Sequence, residues 1–191
     1  MTTNKISLYD ALVVSTLNNK QRATALKKYG YVYDSMLSDK NNSTYYNPKT
    51  NKLLFNVKGT NPKSIQDIYT DVRLAGGQLK GTARYQDSKF LLTEAKRKYK
   101  GATTDVSGYS LGGTIAGYIA SADDDVFTYN KGATIGQPIR ANETAYRTSG
   151  DIVSLADAGA TRMKSLNKKA TFNPLKAHEL TNIKNENIFI D

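Results

Sequence analysis

Residues 106–113 read Val106-Ser107-Gly108-Tyr109-Ser110-Leu111-Gly112-Gly113, a G-x-S-x-G-G run whose small residues continue into Ala116 and Gly117. A serine at the tip of a sharp strand-to-helix turn sits in strained backbone. Glycines two positions to either side, Gly108 and Gly112, leave room for that turn and expose the hydroxyl above the sheet. Upstream, Thr103-Thr104-Asp105-Val106 is short and partly β-branched, as a strand should be. Downstream, Leu111 to Ala120 is small and apolar, as a helix packed on a sheet should be. An ordinary turn before an apolar helix spells similar letters, so the flanking segments carry the reading. A helix starting near Leu111 aims its free amides and positive dipole end at an oxygen reacting beside Ser110. Ser110 is therefore a candidate nucleophile.

A serine nucleophile needs a base, and the chain contains one histidine, His178. It follows the loop-like Asn173-Pro174-Leu175-Lys176-Ala177, and loops on a rigid scaffold are common mounts for catalytic groups. A lone histidine is often only a surface or core residue, but its place downstream of the serine agrees with one known chain order, Ser, then Asp or Glu, then His. The acid should lie between them at a strand end. Thr144 to Thr148 reads as a strand, and Ser149-Gly150-Asp151 as the turn that closes it. Asp151 is the first choice, to hold one ring nitrogen of His178 and stabilise the imidazolium. Asp157 is the alternative; Glu179, adjacent to the histidine, is better placed to point away. The run Asp123-Asp124-Asp125 reads as a solvated loop and comes too early for the acid. No metal or other cofactor is implied, since the chain has no cysteine and one histidine cannot build the usual zinc cluster.

Five segments, in order, resemble the class 3 lipases, the α/β-hydrolase family of fungal triacylglycerol lipases and plant phospholipase A1-like enzymes. Leu53 to Thr60 resembles that family's apolar strand ending in Arg-Gly-Thr or Arg-Gly-Ser. Asp67-Ile68-Tyr69-Thr70-Asp71-Val72 is similar to its Asp-Trp-x-x-Asp-Leu segment, and Gly108 to Gly113 to its Gly-His-Ser-Leu-Gly-Gly elbow. Thr134 to Asn142 is similar to its Phe-Gly-x-Pro-Arg-Val-Gly-Asn loop, and Asp151-Ile152-Val153 to its Asp-x-Val-Pro segment. The resemblance spans about Tyr31 to Ile183. It implies an α/β-hydrolase fold, a mostly parallel central sheet flanked by helices. It implies hydrolysis of lipid carboxylic esters through Ser110, Asp151 and His178, with an oxyanion hole made by the Leu111 and Thr60 amides. The Thr60 hydroxyl would be a further donor; its other role is a turn residue or helix cap before Asn61-Pro62.

Four residues depart from that pattern. Tyr109 stands where the family has histidine, and Lys58 where it has the strand-end arginine. Ile68 takes the tryptophan position, and Ser154 replaces the proline after Asp-x-Val, which weakens the Asp151 assignment. None removes a catalytic atom. They bear on substrate preference more than on reaction type, so a non-lipid ester or an amide is the alternative substrate class.

The remaining sequence fits one domain over residues 1–191, with an N-terminal helical segment over about residues 1–30. A first helix is expected from Ser7, with Asp10 closing a capping box, and a second from Gln21 to Tyr29, ending at Gly30. Ser43-Thr44-Tyr45-Tyr46 and Lys52 to Val57 flank the turn residues 47–51, which reads as a hairpin. Tyr85 to Tyr99 carries Phe90, Leu91, Ala95 and Tyr99 near helical spacing, a core-facing stripe. Val126 to Ala133 reads as a strand region, and Ala158 to Phe172 as a loop.

The formal charge is +10. Scattered lysines would make this a solubility feature; clustered ones would draw the protein to anionic phospholipid at roughly 1 kcal/mol per well-placed cation. Lys96, Arg97, Lys98 and Lys100 form one cluster, and Arg162, Lys164, Lys168 and Lys169 a second. A nucleic-acid partner on an inactive scaffold ranks last, because no helix-turn-helix, zinc or RNA-binding aromatic motif supports it. Ala11-Leu12-Val13-Val14 is too short an apolar run for a signal peptide, and nothing approaches a membrane span. The expected location is the cytoplasm, with virion association or export by a non-signal route as alternatives.

Fungal lipases cover their site with a hydrophobic lid helix, and here the matching interval, Arg73 to Arg84, is short, glycine-rich and weakly apolar. A minimal or mobile lid, an accessible site and little interfacial activation are expected. Rates on one ester below and above its critical micelle concentration check this; a sharp jump on micelle formation would contradict it.

Overall fold

The structure is a computed structural model that describes residues 5–60, 78–132, 140–151, 154, 163–166 and 173–190. Its centre is a seven-stranded sheet with the strands side by side in chain order, from β2 (Val32–Asp34) through β3 (Asn42–Asn47), β4 (Lys52–Val57), β5 (Thr103–Tyr109), β6 (Asp125–Tyr129) and β7 (Glu143–Thr148) to β8 (Met163–Leu166). β2, β3 and β4 pair antiparallel; every later neighbour is parallel. A two-stranded antiparallel sheet joins β1 (Ile6–Ser7) to β9 (Phe189–Ile190) near the termini. The mostly parallel, helix-flanked sheet expected from sequence is present.

Both faces of the sheet are covered, and residue alternation along the strands says by what. Phe55 and Val57 of β4, with Val106 and Val126, pack with Leu92 of helix α3 (Ala83–Lys98) and Ile115 and Ala116 of helix α4 (Leu111–Ile119). Leu54, one residue out of phase, joins Tyr45 and Tyr129 on the other face. There it meets Leu8 and Leu12 of helix α1 (Leu8–Val13), and Ile183 and Ile190 near the C-terminus. Each such fully buried side chain is worth about 1.5–3 kcal/mol.

The N-terminal helices form for local reasons. Ser7 caps α1 by accepting the Asp10 amide at 3.0 Å, but Asp10 does not return a capping-box bond. Its carboxylate instead takes the Tyr29 hydroxyl and the Lys28 ammonium, 3.0 Å away, tying two helical segments together. The full capping box lies one helix later. Asn18 and Gln21 exchange bonds at the start of α2 (Asn19–Ala25), and a 3-10 turn over Lys27–Tyr29 ends at Gly30 in the left-handed region (φ 84).

Three further expectations are corrected. α3 buries Tyr85, Ser88, Leu92 and Ala95, while Phe90 is 64% exposed. The stripe is offset because one of its members is polar: the Ser88 hydroxyl is satisfied against Asn42 Oδ1 and the Arg84 carbonyl, each at 2.8 Å. Asp124 is buried rather than solvated, held by Lys96 at 2.6 Å and by Ser121. Within the expected loop at 158–172, Met163–Leu166 is the edge strand beside β7. The basic segment at the end of α3 is largely ion-paired: Lys96 with Asp124, Arg97 with Glu94 at 2.6 Å, and Lys98 with Asp34 at 2.5 Å. No helix among the described residues is long and apolar enough to cross a membrane.

Asp34 also accepts the Tyr99 hydroxyl at 2.7 Å. Burial alone would raise its carboxyl, but Lys98 and Tyr99 outweigh that and hold it below its ordinary value. A depressed carboxyl stabilises the fold above its unfolded value near about 3.9, and that contribution is lost as pH falls through the lower folded value. Asp34→Asn should therefore cost about 1 kcal/mol at neutral pH, the Lys98 end being half exposed. Denaturant melts across pH should show the gap from wild type closing as pH falls below the unfolded carboxyl value near about 3.9. A gap independent of pH would contradict the assignment.

Candidate active site

The end of β5, the exit of β4 and the first turn of α4 meet at Ser110. Its backbone lies at φ 54, ψ −128, a region that non-glycine residues rarely occupy. The strain is held from both sides: the Ser110 amide donates to the Tyr129 carbonyl at 3.1 Å, and the Ser110 carbonyl accepts from the Thr114 amide at 3.2 Å. Close packing explains the glycines. A Cβ on Gly112 would stand 2.3 Å from the Val57 carbonyl oxygen, and one on Gly108 would stand 2.4 Å from that of Gly112.

His178 ends the short helix α5 (Pro174–His178), which is capped by the Asn173 side chain on the Leu175 and Lys176 amides. Its Nε2 is 2.9 Å from Ser110 Oγ, and its Nδ1 is 3.0 Å from Asp151 Oδ1. With the imidazole neutral, the carboxylate partner sets Nδ1 as the donor and leaves Nε2 to accept the serine proton. Asp151 follows β7, its amide bonded to the Thr148 carbonyl at 3.1 Å. Its Oδ2 accepts the Ser154 amide at 3.2 Å. The serine that replaces the family's proline thus brings an N–H that proline lacks, so this departure supports the carboxylate. Glu179 is exposed and accepts from Thr181, as expected of a residue pointing away.

Thr60 lies beside this cluster. A Cβ on its neighbour Gly59 would stand 3.4 Å from Ser110 Cβ and only 2.6 Å from the Tyr109 carbonyl oxygen. The Thr60 hydroxyl is buried and has no hydrogen-bond partner among the described residues. Leu111 is the first residue of α4, where helical amides have no carbonyl one turn back to bond.

Ser110 is 0% exposed, Asp151 1% and His178 2%, and the accessible site expected from sequence turns on the lid interval. Residues 73–77 of the expected lid interval lie outside the described residues, as do Asp67 to Val72, most of the Thr134 to Asn142 segment, and Asp157. Of the second basic cluster only Lys164 is described; its ammonium sits 5.4 Å from the centre of the Tyr146 ring.

Sequence reasoning did not single out Gly59, Tyr129 or Asn130. Gly59 was legible in principle, as a glycine directly after an apolar strand. Asn130 fell inside the strand region expected over Val126 to Ala133, although asparagine is among the residues that tolerate positive φ (here 44) at a strand end. Tyr109 was noted only as a departure.

No protein-family model matches the chain, and no curated protein sequence matches it. Solved structures do. A mutant form of MDLA from Penicillium cyclopium superposes with a TM-score of 0.53 at 12% identity, over 85% of this chain and 77% of that one. The lipase of Rhizopus microsporus var. chinensis gives 0.50 at 15% identity, over 86% and 74%. The triacylglyceride lipase of Rhizomucor miehei gives 0.50 at 12%, over 84% and 78%. At such identities the likeness defines the fold alone: the chain has the α/β-hydrolase fold of the fungal lipases.

Because the Gly112 Cα faces two carbonyls, Gly112→Ala should force β4 and α4 apart. A loss of about 2–3 kcal/mol in stability and displacement of Ser110 are expected. Denaturant unfolding together with labelling of Ser110 by a fluorophosphonate reads both; full stability with unchanged labelling would contradict the packing argument.

Proposed function

We propose that the protein is a serine hydrolase that cleaves carboxylic esters of lipids through an acyl-enzyme on Ser110. The observation that carries this reading is the buried chain of contacts from Ser110 Oγ through the His178 ring to Asp151, at 2.9 and 3.0 Å, mounted on a strained elbow. His178 Nε2 takes the serine proton as Ser110 Oγ attacks the ester carbonyl. Asp151 keeps the imidazole in the right tautomer and balances its charge. The amides of Leu111 and Thr60 receive the oxyanion, and the unpartnered Thr60 hydroxyl supports a third donor. The alcohol leaves with the proton from His178. Water, activated by the same ring, then releases the carboxylic acid and restores Ser110. The closed steps need no metal or other cofactor.

The lipid part of the reading rests on the fold shared with fungal lipases, and a fold hosts many substrates. Hydrolysis of a non-lipid ester or an amide by the same residues is therefore the second reading. Peripheral contact with an anionic membrane belongs to the first, supported by the net charge of +10.

Hydrolysis of p-nitrophenyl esters of graded chain length, with Ser110→Ala in parallel, tests the proposal. The mutant should lose at least about a thousandfold in kcat, and Asp151→Asn about as much. An optimum at long acyl chains supports a lipid substrate; an optimum at acetate favours the second reading. Activity should fall on the acid side, because imidazolium cannot accept the serine proton. A rate equally high in acid and at neutral pH would remove His178 as the base.

A further inference from the structure

α5, which carries His178, is five residues long, too short to hold its shape unaided. Its position is set from outside, and the setting is specific. Three consecutive carbonyls, of Ala177, His178 and Glu179, are each met by a side chain from the ends of β5 and β6. The Tyr109 hydroxyl donates to the His178 carbonyl at 2.5 Å. Asn130 Nδ2 donates to the carbonyls of Ala177 at 3.1 Å and His178 at 3.3 Å. The Tyr129 hydroxyl donates to the Glu179 carbonyl at 3.3 Å while also pairing with the Thr148 hydroxyl.

The rings add a second layer of contact. Tyr129 stacks on Tyr109 with centroids 5.9 Å apart, and Tyr109 faces the His178 ring at 5.1 Å. Asn130 is fully buried and left-handed, and the rest of its bonds reach the other arm of the site. Its amide donates to the Tyr146 carbonyl and its Oδ1 accepts the Thr148 amide, both at 2.9 Å. Thr148 ends β7, three residues before Asp151. One side chain therefore fixes the backbone of His178 relative to the strand that presents its carboxylate. Burial, followed by the neighbouring Tyr129, Asp151 and Glu179, pushes the Tyr109 phenol far above its ordinary value, so it stays a donor across the working range. Burial likewise pushes Tyr129 up to about 12, against bonds that lower it.

We propose that Tyr109 and Asn130, backed by Tyr129, are positioning residues that clamp carbonyls 177–179 so that the His178 ring spans Ser110 and Asp151. This rests on the reading of those three residues as the catalytic groups. The clamp residues act by holding a five-residue helix in the placement that keeps both ring nitrogens in contact.

The chain has one histidine, so its imidazole proton signals need no assignment. Tyr109→Phe, Asn130→Ala and the double variant are compared with wild type by proton NMR and by kcat and KM on p-nitrophenyl butyrate. Tyr45→Phe is the control, because it removes another buried phenol-to-carbonyl bond, to Arg22 at 3.0 Å, that belongs to β3 and α2. Wild type and Tyr45→Phe should show a slowly exchanging downfield imidazole N–H. Tyr109→Phe should weaken it and lose about tenfold in kcat, and the double variant should lose the signal and about a hundredfold, with KM nearly constant. If the double variant does not fold, Tyr109→Phe decides alone. An unchanged signal and kcat in Tyr109→Phe would overturn the proposal. So would an equal kcat loss in Tyr45→Phe, or a wild type without the signal. A wild type that hydrolyses no ester but loses its imidazole signal on removal of the clamp would keep the positioning and remove the proposed activity.

Discussion

The carbonyls of Val57 and Lys58 come so close to the Cα of Gly112 that no side chain fits between the end of β4 and the first turn of α4. That contact sets the height at which α4 begins, and the height leaves Ser110 no room for an ordinary backbone. With β5 running straight to Tyr109 and the helix starting at Leu111, one residue must make the whole change of direction. The positive-φ conformation of Ser110 is the result. Such strain persists only where the surroundings over-determine it, and here the Tyr129 carbonyl, the Thr114 amide and three crowded backbone segments do so.

The imidazole has a different problem. Ser110 is placed by a helix and two core strands, whereas His178 rides on a five-residue helix. Its support comes from side chains whose own positions the sheet fixes. Tyr109 and Tyr129 are neighbours in the register of β5 and β6, so their hydroxyls emerge side by side above the same sheet edge. Asn130 continues β6 by one residue. The parallel sheet thereby brings Ser110, the support of the His178 ring and Asp151 together from adjacent strand ends, β5, β6 and β7 in turn, which is where ligands collect in open α/β sheets.

The departures from the lipase pattern take on meaning in this frame. Tyr109, in place of histidine, reaches the carbonyl of the His178 segment with a hydroxyl that burial keeps protonated. Ser154, in place of proline, gives Asp151 an amide partner. In both cases the replacement adds a donor aimed at one of the groups that meet around the imidazole. The basic segment at the end of α3 goes the other way: three of its cations are bound to Asp34, Glu94 and Asp124, which leaves less free charge there than the letters imply.

The sequence by itself determined the strand–elbow–helix unit around Ser110, the hairpin of β3 and β4, and the identity of the lone histidine. Each of these rests on local spacing or on a count of one. Which carboxylate meets His178 was a choice between Asp151 and Asp157, and the described contact at 3.0 Å is to Asp151. Tertiary structure alone decided the rest. The buried face of α3 was misread because Ser88 belongs to it through a bond to Asn42, which lies on β3. The edge strand Met163–Leu166 carries no periodic signal of its own and exists because β7 offers it a ladder. The clamp on His178 joins residues that are 48 and 69 positions apart along the chain, a proximity produced by strand order and register. Spacing in a sequence reports contacts within one element; contacts between elements exist only once the sheet has brought its strand ends together.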